Sequence, residues 1–154
     1  MRLLLIAGAA LLATTAVASA EAFTFTSTGT LTSQVGAPGP GGRPQGTSMA
    51  TVESQTTWAS GKKSTSKGTC GTWSAPPGGG ITNNGACMLS GSDGDFSVAF
   101  ACASMNDKNT VANCWAGLTG TAGGFKGKSG TASWRVTQSA DGKSSTSTGS
   151  GQWY

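Results

Sequence analysis

Four cysteines, five tryptophans and six carboxylates are the side chains on which chemistry would have to rest, because the 154 residues include no histidine. Without histidine the commonest general base and the commonest zinc ligand are both missing, which excludes Ser-His-Asp triads, Cys-His nucleophiles and His-ligated zinc. No catalytic residue is assigned. Acid–base chemistry would need Glu53, Asp93, Asp95 or Asp107 buried and aimed into a cavity. Trp73, Trp115 and Trp134 are the candidate ligand-binding residues, because an indole at a barrel mouth stacks on an apolar molecule or a sugar. Filling the core is the simpler role for most of the five tryptophans, Trp58 and Trp153 included, since little else in the chain can do so.

Cys70 and Cys87 flank the turn Pro76-Pro77-Gly78-Gly79-Gly80, and Cys102 and Cys114 flank a turn over 105–111. Each pair would sit across a hairpin, where neighbouring strands bring Cβ atoms within bridging range. Pairing 70–87 with 102–114 is therefore favoured, with the two other connectivities open. A four-thiolate metal site needs closely spaced pairs that the chain lacks, so no metal and no cofactor is expected. Asp93-Gly94-Asp95 reads as a hairpin turn before a calcium loop, because further ligands at fixed offsets do not follow. Gly123-Gly124-Phe125-Lys126-Gly127-Lys128-Ser129 lacks the spacing and context of a phosphate loop. Lys62, Lys63 and Lys67 read as a solvated loop before an anion-binding patch.

These residues must be positioned by strands. Met1-Arg2, an apolar run from Leu3 to Val17 and Ala18-Ser19-Ala20 follow the order of a secretory leader, so residues 1–20 are expected to be removed. One domain, 21–154, would remain, exported to the periplasm or beyond, where disulfides persist. Nothing after residue 20 is long and apolar enough to span a bilayer as a helix. Nine basic residues against six acidic ones after position 20 are too weak a surplus to argue for nucleic acid. Leu, Ile, Val and Phe make up only 14 of those 134 residues, so a thin core of aromatics and small residues, helped by disulfides, is expected.

The period is two throughout. Phe23, Phe25 and Leu31 share one face, with Thr24, Thr26, Thr28, Thr30 and Thr32 on the other. That threonine row reads as the solvent side of one strand and does not repeat as an ice-binding array would. Phe96, Val98, Phe100 and Cys102 alternate likewise, as do Ala132, Trp134 and Val136. Weaker strands are expected over 49–58, 68–74, 86–90, 111–118 and 144–154, separated by Pro-, Gly-, Asn- and Asp-rich turns. The terminal Trp153-Tyr154 resembles the end of an outer-membrane barrel, but Ser144–Gly151 carries no apolar band for lipid. The fold expected is all-β, a small antiparallel barrel of about eight short strands, with a β-sandwich as the alternative. Closure is favoured because it leaves no exposed edges.

The run Gly117-Leu118-Thr119-Gly120-Thr121-Ala122-Gly123-Gly124-Phe125-Lys126-Gly127-Lys128-Ser129-Gly130, followed by the strand at Trp134, resembles a recurrent ending of small secreted bacterial β-barrel proteins. More distantly, residues 69–154 are similar to the barrel of allene oxide cyclases and dirigent proteins. The resemblance implies a barrel; no catalytic residue of that enzyme matches a position here. The function expected is an exported, non-catalytic barrel that binds a small hydrophobic ligand or a glycan at the cell envelope. The alternatives are a cyclase or isomerase acting in an apolar barrel cavity, and a structural envelope protein without ligand. A cavity of roughly 300 Å3 or more, lined by Trp and Phe, separates the binding and cyclase readings from the structural one.

Overall fold

The computed structural model describes residues 20–38 and 44–154. The expected leader, apart from Ala20, and most of the Pro-Gly turn near residue 40 lie outside them. Eight strands follow one another: β1 (Glu21–Pro38), β2 (Pro44–Trp58), β3 (Lys63–Ser74), β4 (Asn83–Gly91), β5 (Gly94–Ser104), β6 (Val111–Gly123), β7 (Ser129–Gln138) and β8 (Ser144–Trp153). Each pairs antiparallel with the next, and β8 pairs with β1 to close a barrel. The sandwich alternative is thereby set aside. Closure follows from the composition: strands this rich in Ser, Thr and Gly have no large apolar face to cover a second sheet, and a cylinder leaves fewer edges unpaired.

The strands run longer than the alternation alone suggests. Lys63 and Lys67 belong to β3, not to a loop, and β6 continues through Gly120 to Gly123. Ladder hydrogen bonding carries the chain through positions whose side chains give no apolar signal. β1 and β2 also extend past their neighbours. β8 pairs with β1 only as far as Thr30, and β3 with β2 only as far as Thr47, so 31–38 and 44–46 project as a two-stranded ribbon. A bulge between Leu31 and Ser33 marks where the ribbon leaves the wall.

The lower end of the cylinder carries the start of β1, the end of β8 and the turns 59–62, 92–93 and 124–128; the upper end carries the turns 75–82, 105–110 and 139–143. The core is thin, as its composition implies. Among the described residues, its buried hydrophobic side chains are four cysteines, four alanines and only seven larger ones, and even the most buried of them, Cys114, keeps 3% of its surface exposed. Glycine compensates by letting rings lie against backbone. A methyl group at Gly151 would come within 2.5 Å of the Phe23 ring, and one at Gly149 within 2.8 Å of Phe25. The two phenylalanines thus cover β8, whose inward positions would otherwise be nearly bare.

Candidate functional site

Both cystines face inward. Cys70 and Cys87 are cross-strand partners on β3 and β4, and Cys102 and Cys114 on β5 and β6; both pairs are bridged. The favoured connectivity is the observed one. It is consistent with folding in an oxidising environment. Because side chains alternate, the inward cysteines fix the direction of their neighbours. Trp73, an odd number of positions from Cys70, and Trp115, next to Cys114, point out of the barrel and are 48% and 45% exposed. Trp134 sits opposite Cys114 and faces in. The three candidate residues are therefore not brought together: Trp134 lines the interior, while Trp73 and Trp115 stand on the outer surface.

The interior divides by height. Its lower end is plugged. Phe125, in the turn after β6, stacks on Trp153 with ring centres 4.7 Å apart and meets Phe96 at 5.4 Å and Trp58 at 5.9 Å. Phe23 packs edge-on against Trp58 at 5.5 Å. Polar groups lock this plug. The Trp58 indole N–H lies 3.1 Å from Asp93 Oδ2 and 3.0 Å from Ser64 Oγ, and Lys62 Nζ donates to Asp93 Oδ1 at 2.5 Å. Partial burial pushes the Asp93 carboxyl up, but hydrogen bonds from Lys62, Ser64 and Trp58 and the Lys62 charge outweigh it and hold it below the ordinary aspartate range. Phe125 and this ion pair escaped sequence reasoning, because a loop aromatic and a pair 31 residues apart carry no local signature.

Above the plug lies a cavity of about 290 Å3. One wall is apolar: Val98, Phe100, Trp134 and the two cystines, with the Trp134 ring centre 6.2 Å from that of Phe25 and 5.6 Å from that of Phe100. The opposite wall is hydroxyl-bearing. Ser147, Ser27, Ser54 and Ser66 occupy successive strands β8, β1, β2 and β3 as direct cross-strand partners, all half-buried and all lining the cavity. These serines were missed, yet their signal was present. Ser27 shares its parity with Phe23 and Phe25, Ser54 with Trp58, Ser66 with Cys70 and Ser147 with Trp153. Toward the upper end, Leu31, Ser48, Thr72, Asn83, Gln138 and Gly142 line both this cavity and a second hollow of about 610 Å3 beneath the Pro76-Pro77 turn. The interior is thus continuous with the upper mouth.

No family model matches the chain, and no curated protein is significantly similar to it. The site must be read from its own residues. Of the four carboxylates considered for acid–base work, only Asp93 borders the cavity, at its floor and already engaged. Glu53 faces outward opposite Lys67, Asp95 lies opposite Ser90 and Ala122 away from the cavity lining, and Asp107 is exposed in the 105–110 turn. Among the described residues, no three His, Cys, Asp or Glu side chains come together as a metal site. The 124–128 segment is a turn that delivers Phe125 to the plug. No described helix is long and apolar enough to cross a membrane.

Proposed function

We propose that this chain is an exported, non-catalytic β-barrel whose interior binds a small, mainly apolar molecule. The observation that carries this reading is the cavity: about 290 Å3, floored by stacked aromatics, walled by Phe100, Trp134 and two cystines, and continuous with the upper mouth. A side-chain-filled cylinder of eight strands has no such space, whereas small-ligand sites are concave, mostly apolar and carry a few placed polar groups. Export is supported by the leader-like run of residues 1–20 and by two intrachain disulfides.

The alternative reading, a cyclase or isomerase acting in the cavity, would need a proton donor or acceptor at the ligand. Asp93 is held by Lys62 and Trp58 at the floor, which leaves it poorly placed for that work. The cavity also supports a ligand better than the outer tryptophans do. Trp73 and Trp115 stand three strands apart around an eight-stranded cylinder, so they look toward different sides and form no common platform.

The test is native mass spectrometry of protein purified from its own host, beside a Ser27→Phe variant that fills the cavity. A small-molecule adduct on the wild type, lost from the variant, is expected. Bare protein in repeated preparations, or an adduct retained equally by both, would overturn the reading.

A further inference from the structure

The row Ser147–Ser27–Ser54–Ser66 specifies more than a volume. Four serines in direct register put four hydroxyls along one inner wall, with Cβ atoms about 5 Å apart from strand to strand. Among the described residues, the hydroxyls of Ser27, Ser66 and Ser147 make no hydrogen bond, and that of Ser54 reaches only the Thr26 carbonyl at 3.4 Å. Each hydroxyl brings one donor and two acceptor sites into a half-buried space, and such groups retain a partner from solvent or a bound molecule. The wall they face, Phe100, Trp134 and Val98, offers no polar partner across the cavity beyond the indole N–H.

We infer that the cavity selects an uncharged ring compound bearing hydroxyl or carbonyl oxygens along one edge, with the apolar side against Trp134 and Phe100 and the oxygens on the serine row. This inference rests on the ligand-binding reading above. Charge is disfavoured because no ionised side chain lines the cavity at the level of the serines: Glu53 and Lys67, beside Ser54 and Ser66, turn to the outer face of the wall. Asp93 is at the floor, paired with Lys62, and Lys143 is exposed at the upper rim. A carboxylate or ammonium drawn down to the row would lose water and find only neutral dipoles, whereas a neutral oxygen exchanges water for serine at little cost. An alkane-like molecule would strip the hydroxyls of water without replacing it. The length of the row, half the circumference, favours a rigid body with more than one oxygen over a flexible chain with a single polar head.

The test uses one compact skeleton with two head groups: 1-adamantanol and 1-adamantanecarboxylate. Each is titrated calorimetrically at neutral pH into the full exported chain and into a Ser27→Ala/Ser66→Ala variant whose melting curve confirms that it folds. The alcohol is expected to bind the wild type at least about tenfold more tightly than the carboxylate, and to weaken about fivefold in the variant, the effect of one lost neutral hydrogen bond of about 1 kcal/mol. The carboxylate comparison needs no variant and stands if the double substitution fails to fold. Equal binding of the alcohol to both proteins, or a preference for the carboxylate, would overturn the inference while leaving a ligand-binding cavity in place. Failure of both compounds to bind the wild type at millimolar concentration would overturn the binding reading with it.

Discussion

At the lower end of the barrel Trp58, Phe96, Phe125 and Trp153 stack into one another; at the upper end inward positions carry Ser48, Ala50, Thr72, Asn83 and Ser145. The same eight strands build both ends, with the same alternation and the same antiparallel ladders. What differs is where the few large residues are spent. A chain with so few aliphatic side chains cannot fill a whole cylinder, and this one packs the floor and the β5–β7 side, around Cys102 and Cys114, and leaves space against the serine wall. The floor holds the strands together, and the hollow is what remains available to a ligand.

That contrast breaks first at the stack. Trp153→Ala removes the side chain that Phe125 and Phe96 pack on, and should cost about 3–5 kcal/mol in urea unfolding, the range for a large aromatic cut from a core. A loss below 1 kcal/mol would mean that the floor does not carry the stability assigned to it. Next come the cystines. Replacing Cys102 and Cys114 together by alanine, 12 positions apart, should lower stability by about 3 kcal/mol in the chain-entropy account, read from the denaturant midpoint.

The floor's ion pair is sharpened by acid. Asp93 is held below the ordinary aspartate value of about 3.9, so the folded state binds its proton less readily than the unfolded chain. Its contribution is therefore complete above about pH 4 and is lost as the pH falls through the lower folded value. Asp93→Asn should melt below the wild type at neutral pH, and the two curves should converge as the pH falls through that lower folded value. A constant gap across that range would show that the carboxylate's charge is not what holds Trp58 and Lys62. The smallest effects belong to positions outside the plug. Trp73→Ala, on the outer surface, and Ser66→Ala, on the cavity wall, should each stay within about 0.5 kcal/mol of the wild type. A large loss from Trp73→Ala would identify a contact that the outer surface does not display.

Much of this was legible in the chain. Phe23 and Phe25 against the threonine row, Phe96 to Cys102, and Ala132 to Val136 declare strands by period two, and cysteines flanking turns favour the observed cystine pairing while leaving two others open. Strand ends were not legible, because Lys63, Lys67, Gly120 and Gly123 join strands through backbone bonding that side-chain pattern does not record. The cavity lay between. Which tryptophans face inward depends on parity relative to the cysteines, so Trp134 separates from Trp73 and Trp115 only once both cystines are known to point in. The serine row needs the registers of three ladders at once, which no single stretch of sequence contains. Phe125 needs the fold of its turn.

The most direct test of the central claim, a plugged cylinder with a ligand-sized hollow above the plug, is a crystal structure of the protein purified from its own host. Density for one small molecule between the Trp134 ring and the hydroxyls of Ser27 and Ser66 is the expected result. A collapsed interior, with Phe25 and Trp134 packed onto the serine wall and no space between them, would contradict it.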